Sequence, residues 1–370
     1  MKVAMIETGG WGGLAHYAWS LCAALADAGA DVSLLTNVAW ELEHLPRRFG
    51  VAKCFAPDAG YWGNVRALRD QLARAGPDVV HVQSLVSTRF DGWLWPRIRR
   101  RRPLVATAHN VRSHENLRWE EWTWWRVLRA ADGIVVHTRE SAAIAARRLG
   151  PAARIALIHH GDYAFFAPRE DVDRESARRR LGLATRGRLA LAFGAIRPYK
   201  GILELIGALP AVRARRPDAG LVIVGPLLVG SEAEYRQAIE AAGVADAVTF
   251  RPIYVPHAEV ALYFRAADVA VYNYREVTDS GSLRIACSLG TPVVATAVGA
   301  FREFLTDGAS ARLVPPGDTT ALAAALGEVL DDPAGAARLA AAARELAASI
   351  WSWADSAKAT LELYRTVARG

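Results

Sequence analysis

Arg197 and Lys200 stand three residues apart in AFGAIRPYKGILELI, residues 192–206. A β-prone run, Leu189–Ile196, precedes them and an apolar helical pattern follows. Two cations on the loop and first turn after a strand can converge on one anion near a helix N-terminus; the structural alternative is a helix start with exposed basic residues. A second stretch, YREVTDSGSLRIACSLGTPVVAT from Tyr274 to Thr296, reads as strand, polar loop, helix, turn and buried strand. Asp279 or Ser280 can cap that helix, and the amides of its first turn (Ser280, Gly281, Ser282, Leu283) make a ready anion site. An ordinary capped βαβ unit would look the same. A third stretch, ETGGWGGLAHY, places Gly9, Gly10, Gly12 and Gly13 directly after a strand, where the backbone can approach a ligand closely. His109 closes the strand Leu104–Ala108, and ligands of parallel sheets gather at the carboxyl ends of strands. A lone histidine there is also often structural.

The elements that must carry these residues alternate. Strands are expected at Lys2–Ile6, Val32–Thr36, Val79–Gln83, Leu104–Ala108, Ile134–Thr138 and Ile155–His159, with helical patterns between them, the first from Leu14 to about Ala28. The alternation restarts with Leu189–Ile196, Val222–Val224, Val248–Phe250, Val269–Tyr274 and Val293–Thr296. His257–Asp268 reads as an amphipathic helix, Ala321–Ile350 as Ala-rich helices and Trp351–Ala368 as a last helix. Such alternation predicts an α/β chain of doubly wound, Rossmann-like sheets. A length of 370 residues suits two of them. A dinucleotide-binding dehydrogenase would need G-x-G-x-x-G and an acidic residue closing the second strand. Here the glycines are paired as GG-x-GG and that strand runs into Thr36-Asn37.

The two second-half stretches resemble the motifs of retaining GT-B glycosyltransferases, in particular the large family 4. That family's later motif is Glu, seven residues, Glu, then Ala, Gly and Pro-Val-Val. Glu276 falls on the first Glu, and Ala286, Gly290, Pro292, Val293 and Val294 fall on the later positions. Arg284 occupies the second Glu position, where the family usually holds the donor's ribose hydroxyls, and a guanidinium accepts no hydrogen bonds. The resemblance extends to Phe-Gly, a basic residue and Lys-Gly before an apolar helix, and more weakly to the Gly-Gly loop followed by a helix carrying His16. It implies two Rossmann-like domains facing a cleft. It also implies that Arg197 and Lys200 hold the donor diphosphate, that Glu276 fixes the transferred sugar, that His109 contacts that sugar, and that Ile253 and Tyr254 lie beside the nucleotide base. Gly10, Gly12 and Gly13 would face the donor, and Arg284 would stand at the donor site in an altered role.

Residues 90–129 carry six of the twelve tryptophans, including Trp93 and Trp95, interleaved with arginines such as Arg97, Arg112, Arg118 and Arg126. Tryptophan with arginine suits a membrane interface, and also single-stranded nucleic acid. A solvated arginine face over core tryptophans explains it equally. No nucleic-acid motif accompanies the patch, which ranks nucleic acid behind a membrane surface or lipid-linked acceptor. Trp93 and Trp95 of this patch, with His16 from the helix that the resemblance covers, are the residues expected on the acceptor side. The net charge of +7 favours anionic partners. The 52% hydrophobic and 22% charged content excludes a disordered chain. Cys22, Cys54 and Cys287 suggest no disulfide framework or zinc site, which fits a cytoplasmic protein, soluble or on the inner membrane face. Asp171-Val172-Asp173 has the form of a metal-binding D-x-D, but sits in a charged linker.

The expected organisation is an N-terminal acceptor-side domain over 1–183, a nucleotide-sugar-binding domain over 184–350, and a helix over 351–370 returning to the first. The expected activity is retaining sugar transfer from a nucleoside-diphosphate sugar, with no cofactor and no metal. The acceptor would belong to cell-surface polysaccharide assembly. The alternatives are a soluble small-molecule acceptor, or a nucleotide-sugar-binding protein without catalysis.

Overall fold

A computed structural model of the chain describes residues 1–111, 118–167 and 172–369, residue 118 by its backbone alone. Arg112 and Asp171 lie outside the described residues. Two parallel sheets organise the chain. The first contains β1 (Lys2–Ile6), β2 (Asp31–Asn37), β3 (Gly50–Phe55), β4 (Val79–Val82), β5 (Leu104–Thr107), β6 (Gly133–Val136) and β7 (Ile155–Leu157), in the order β3-β2-β1-β4-β5-β6-β7. The second contains β8 (Arg188–Phe193), β9 (Ala219–Val224), β10 (Val248–Arg251), β11 (Val269–Tyr272), β12 (Val293–Thr296) and β13 (Arg312–Val314), in the order β10-β9-β8-β11-β12-β13. Every pairing is parallel.

Strands β4, β5, β6, β11 and β12 are buried along their whole length. Helices cover both faces of such strands, so they read as continuous Val/Ala/Ile runs. Each fully buried Val, Leu or Ile contributes about 1.5–3 kcal/mol of transfer free energy. The edge strands β3 and β13 lie beyond the expected set. Gly50–Phe55 is half-exposed and carries Lys53, and β13 is three residues long, so neither has a buried run for sequence to display.

Each sheet reverses its winding once, between β1 and β4 and between β8 and β11. Loops leaving the carboxyl ends of those strand pairs splay apart, and this is where open α/β sheets bind ligands.

The chain divides into two compact units, residues 1–161 with 351–370, and residues 162–350. The division thus falls after Gly161 rather than near residue 184. The cause is Asp268. Its carboxylate accepts from Arg174, Arg178 and Arg188 at 2.7–3.1 Å and from the Leu189 amide at 2.8 Å. Arg178 also donates to the Ala266 carbonyl at 2.8 Å. The helix Arg174–Arg180 is thereby fastened to the second sheet. Asp173, of the D-x-D triplet, caps that helix by accepting from the Ser176 amide at 2.7 Å. The helix Trp353–Ala368 belongs to the first unit, where Leu363 and Val367 lie so close over Gly133 that a Cβ there would meet Leu363 at 3.0 Å.

Candidate active site

In the second unit, β8 runs into Gly194, whose φ of +100° is left-handed backbone. Arg197 then precedes a short 3₁₀ turn, Pro198–Lys200, and Gly201 opens the helix Ile202–Arg215. The neighbouring strand β11 runs into the loop 273–280. Two hydrogen bonds splice these loops across the reversal point: Asn273 Nδ2 donates to the Gly201 carbonyl at 3.0 Å, and the Arg275 amide donates to the Tyr199 carbonyl at 2.7 Å. Gly201 sits in left-handed backbone, and a Cβ there would overlap the Asn273 carbonyl oxygen at 2.1 Å.

Lys200 turns back under this splice and is buried. A Cβ on Gly194 would lie 3.2 Å from its Nζ and 3.8 Å from Ser282 Cβ, so glycine keeps open the floor on which ammonium and helix start meet. The ammonium also lies 5.2 Å from the Tyr274 ring centroid. Burial lowers the Lys200 pKa; Tyr199 opposes that shift and Arg197 adds to it by repulsion.

The helix Gly281–Leu289 starts at this point, with Ser280 as N-cap accepting from the Leu283 amide at 3.3 Å. That amide is thus engaged within the chain. Ser282 Oγ is buried with no protein partner, beside Gly194. An unpaired hydroxyl, a buried ammonium and a helix N-terminus together form a site that would stabilise a phosphate. Glu276 stands exposed on the β11 loop. Ile253 is exposed and Tyr254 half-buried on the loop after β10, two strands away from β8.

Arg284, expected at the donor site in an altered role, is held inside the chain there. It is only 1% exposed; Nη2 donates to Asp279 Oδ1 at 2.7 Å, and the guanidinium lies over the Phe304 ring at 5.1 Å. Asp279 Oδ1 also accepts from the Ser280 amide at 2.8 Å. The arginine is a buried counter-charge that fixes the loop entering the helix.

In the first unit the glycine loop carries its own anion. Glu7, buried at the end of β1, accepts from the amides of Gly9 and Gly10 at 2.8 and 2.9 Å and from Thr36 Oγ1 at 3.1 Å. Burial raises its pKa against the pull of those donors. The Gly12 amide donates to Glu41 Oε1 at 3.0 Å. The amides of Gly9, Gly10 and Gly12 are therefore engaged, and the loop's openness lies in bare backbone: nothing stands within 4 Å of where a Cβ on Gly12 or Gly13 would be. His16 is buried, with Nδ1 2.7 Å from the Gly12 carbonyl oxygen and Nε2 3.5 Å from Glu41. Across the β1/β4 reversal, Thr8 binds Ser84 and the Leu85 carbonyl.

His109 is half-buried at the end of β5, its Nε2 2.9 Å from Gln83 Oε1. It has company that the sequence reading did not single out. The Tyr17 ring lies 4.6 Å from His109, 5.2 Å from His137 and 4.7 Å from His160. Behind them Gln83 Nε2 approaches His81 Nε2 at 3.2 Å, and His81 Nδ1 meets Tyr364 Oη at 2.6 Å. Because Gln83 Oε1 accepts, His109 carries its proton on Nε2. The clue in the sequence was that β4, β5, β6 and β7 each contain a histidine or run into one.

Of the tryptophans expected on an acceptor side, Trp93 is exposed but Trp95 is fully buried, its Nε1 donating to Asp91 at 2.8 Å. Trp95 faces the core because the helix Asp91–Arg99 turns that side inward.

The sequence and fold both have known counterparts. Residues 173–346 match the family model of glycosyl transferases group 1, and residues 11–161 match that of glycosyltransferase family 4. A D-inositol 3-phosphate glycosyltransferase of Thermobispora bispora is 31% identical over 306 residues, covering 78% of this chain and 70% of that protein. The Streptomyces scabiei protein of the same name is 34% identical over 249 residues, covering 65% and 55%. The chain spans between about half and two thirds of the length of the first three such relatives. Among solved structures, a sucrose-phosphate synthase from Thermosynechococcus elongatus superposes with a TM-score of 0.78 at 23% identity over 99% of this chain and 98% of the other. Anabaena HepE, solved with UDP and glucose, gives 0.77 at 21% over 99% and 100%. These likenesses identify the fold as GT-B. With both sheets, both family models and a relative matched over most of its length, the chain belongs to the group 1 glycosyl transferases.

Proposed function

We propose that this chain transfers a sugar from a nucleoside-diphosphate sugar to an acceptor, with retention of configuration and without a metal. The observation that carries the reading is Lys200, a buried ammonium held beside Ser282 and the start of the helix Gly281–Leu289. When the glycosidic bond to the donor breaks, negative charge gathers on the departing diphosphate. A preorganised cation in a dry setting stabilises that charge more than water does. Arg197 adds a second positive charge, so the chain's own residues supply the work a divalent ion would do. Glu276, on the exposed loop after β11, is assigned to the transferred sugar's hydroxyls. His109, with its Nε2 proton fixed by Gln83, is assigned to the same sugar. Both assignments follow the resemblance to family 4. Ile253 and Tyr254 are assigned to the base.

For the acceptor, the tryptophan-rich surface of the first unit favours a lipid-linked sugar of a cell-surface polysaccharide, met at the cytoplasmic membrane face. A second reading, a soluble phosphorylated acceptor, is favoured by the names of the relatives: D-inositol 3-phosphate glycosyltransferase and sucrose-phosphate synthase.

The test is release of nucleoside diphosphate by the purified protein from UDP-, GDP- and ADP-sugars, with inositol phosphate or a lipid-linked sugar as acceptor. Lys200→Ala and Arg197→Ala are each expected to lower the rate by about 100-fold or more, the scale of losing one charge-stabilising group. Unchanged rates in both variants would remove the assignment.

A further inference from the structure

Two aromatic clusters stand on the outside of the first unit, built by the helices Gly60–Ala75, Asp91–Arg99 and Arg118–Ala130. In one, the Tyr61 ring lies 5.0 Å from Trp62 and 5.0 Å from Phe90. In the other, Trp122 lies 5.3 Å from Trp93 and 5.9 Å from Trp119. Phe90 and Trp93 join them through one helical turn, the Trp93 amide donating to the Phe90 carbonyl at 3.1 Å. Trp62 is 78% and Trp119 65% exposed, and Phe90, Trp93 and Trp122 are exposed as well. Scattered apolar residues on a surface are ordinary, but five large exposed aromatics in two clusters joined through Phe90 and Trp93 of one helical turn are not.

The rings are held in place. Gly92 lets the helix Arg118–Ala130 cross closely, so that a Cβ there would meet Arg126 at 3.1 Å and Trp122 at 3.3 Å. Arg126 Nε donates to the Gly92 carbonyl at 2.8 Å, and its guanidinium lies 5.5 Å from the Trp93 ring and 5.4 Å from Trp122. Trp95 and Trp125 of the same two helices go into the core, which fixes the rotation that points their neighbours outward. Trp119, Trp122, Arg126 and Arg129 follow one another at helical spacing and are all exposed.

Arginines gather around the rings. Arg89 lies over Phe90 at 5.7 Å, Arg97 donates to the Trp93 carbonyl at 2.7 Å, and Arg126 sits between two tryptophans. Of the carboxylates of these helices, Asp91 is buried on Trp95 and Glu121 is paired with Arg148, which leaves Asp70 and the half-buried Glu120 against a larger number of arginines.

We infer that this face is a membrane-contact surface for anionic lipid, with Trp62, Phe90, Trp93, Trp119 and Trp122 at headgroup depth and Arg89, Arg97 and Arg126 on lipid phosphates. Indole rings settle where apolar chains meet headgroups, and guanidinium groups above them find phosphate. A second copy of the same face would set arginines against arginines. The inference does not rest on the proposed reaction, and its test needs no catalysis.

The test is flotation of the full chain with vesicles of phosphatidylcholine and phosphatidylglycerol (3:1) at low salt, beside pure phosphatidylcholine. Binding is expected to the anionic vesicles only. Trp62→Ser with Trp119→Ser is expected to weaken it about ten-fold, and Arg89→Glu with Arg97→Glu by more than about five-fold per arginine. Both doubles are expected to keep the wild-type melting temperature and circular dichroism. Absence of binding to the anionic vesicles overturns the inference, and so does equal binding by wild type and the two doubles. Dimers in sedimentation that the same doubles abolish, or binding of a single-stranded oligonucleotide with no flotation, would also overturn it.

Discussion

Arg284 Nη2 reaches Asp279 Oδ1 at 2.7 Å, inside the loop and helix start where a diphosphate is proposed to bind. The arginine replaces an acidic residue expected at its position, and its charge is spent on a neighbour. Removing one partner of a buried pair strands the other charge, which costs about 3–5 kcal/mol. Arg284→Met is expected to lower the unfolding free energy by about that amount in urea titrations. Arg284→Met combined with Asp279→Asn is expected to recover much of it. A single variant as stable as wild type would mean that the pair carries no such weight.

The splice between the β8 and β11 loops depends on one missing methyl group. Gly201→Ala would strain left-handed backbone and force a Cβ against the Asn273 carbonyl, 2.1 Å away. Destabilisation by more than about 1 kcal/mol is expected, with weaker binding of nucleoside diphosphate in thermal-shift titrations. Gly207, in the following helix, has nothing within 4 Å of its missing Cβ, so Gly207→Ala is expected to stabilise by about 0.5–1 kcal/mol.

Lys200 must carry its proton to hold an anion, and burial lowers its pKa from the ordinary 10.5. Nucleotide binding is therefore expected to weaken as pH rises, and to do so before an exposed lysine would lose its charge. Lys200→Arg is expected to abolish that alkaline limb, because a guanidinium stays protonated. Parallel pH profiles for wild type and Lys200→Arg would refute the role.

His81 is fully buried between Tyr364 and Thr107, and burial with the nearby His137 pushes its pKa down to about 3. An unfolded histidine takes a proton near pH 6.5. Between those values the unfolded chain binds the extra proton, so stability falls as pH drops below 6.5 and is constant in this respect above it. The slope approaches about 1.4 kcal/mol per pH unit for one such group. His81→Gln is expected to flatten the fall of melting temperature between pH 6.5 and 4.5 relative to wild type. An unchanged slope would place the acid sensitivity elsewhere.

Much of this was legible from residue order. Buried parallel strands announce themselves as apolar runs, and all eleven expected strands coincide with observed ones to within three residues at each end; Leu189–Ile196 closes three residues early, at Phe193, where Gly194 takes up left-handed backbone. The β3 and β13 edges were hidden because half-exposed or three-residue strands carry no continuous signal. Lys200 and Ser282, which both approach Gly194, each follow a strand in the sequence, although adjacency of β8 and β11 is a property of the sheet. Local sequence could not reveal that Glu7 fills the amides of its own glycine loop, that Trp95 and Trp93 point opposite ways, or that Asp268 gathers three arginines. Each depends on which groups meet after distant segments pack.

The core of the first unit contains Ala357, Leu361, Leu363, Tyr364 and Val367, packed with Val3, Met5, Val79 and Val105. During synthesis those early strands emerge long before the helix that seals them, whereas residues 162–350 form an uninterrupted unit. The first sheet therefore cannot complete its core until residues 351–370 have been made, and His81 lacks its Tyr364 partner until then.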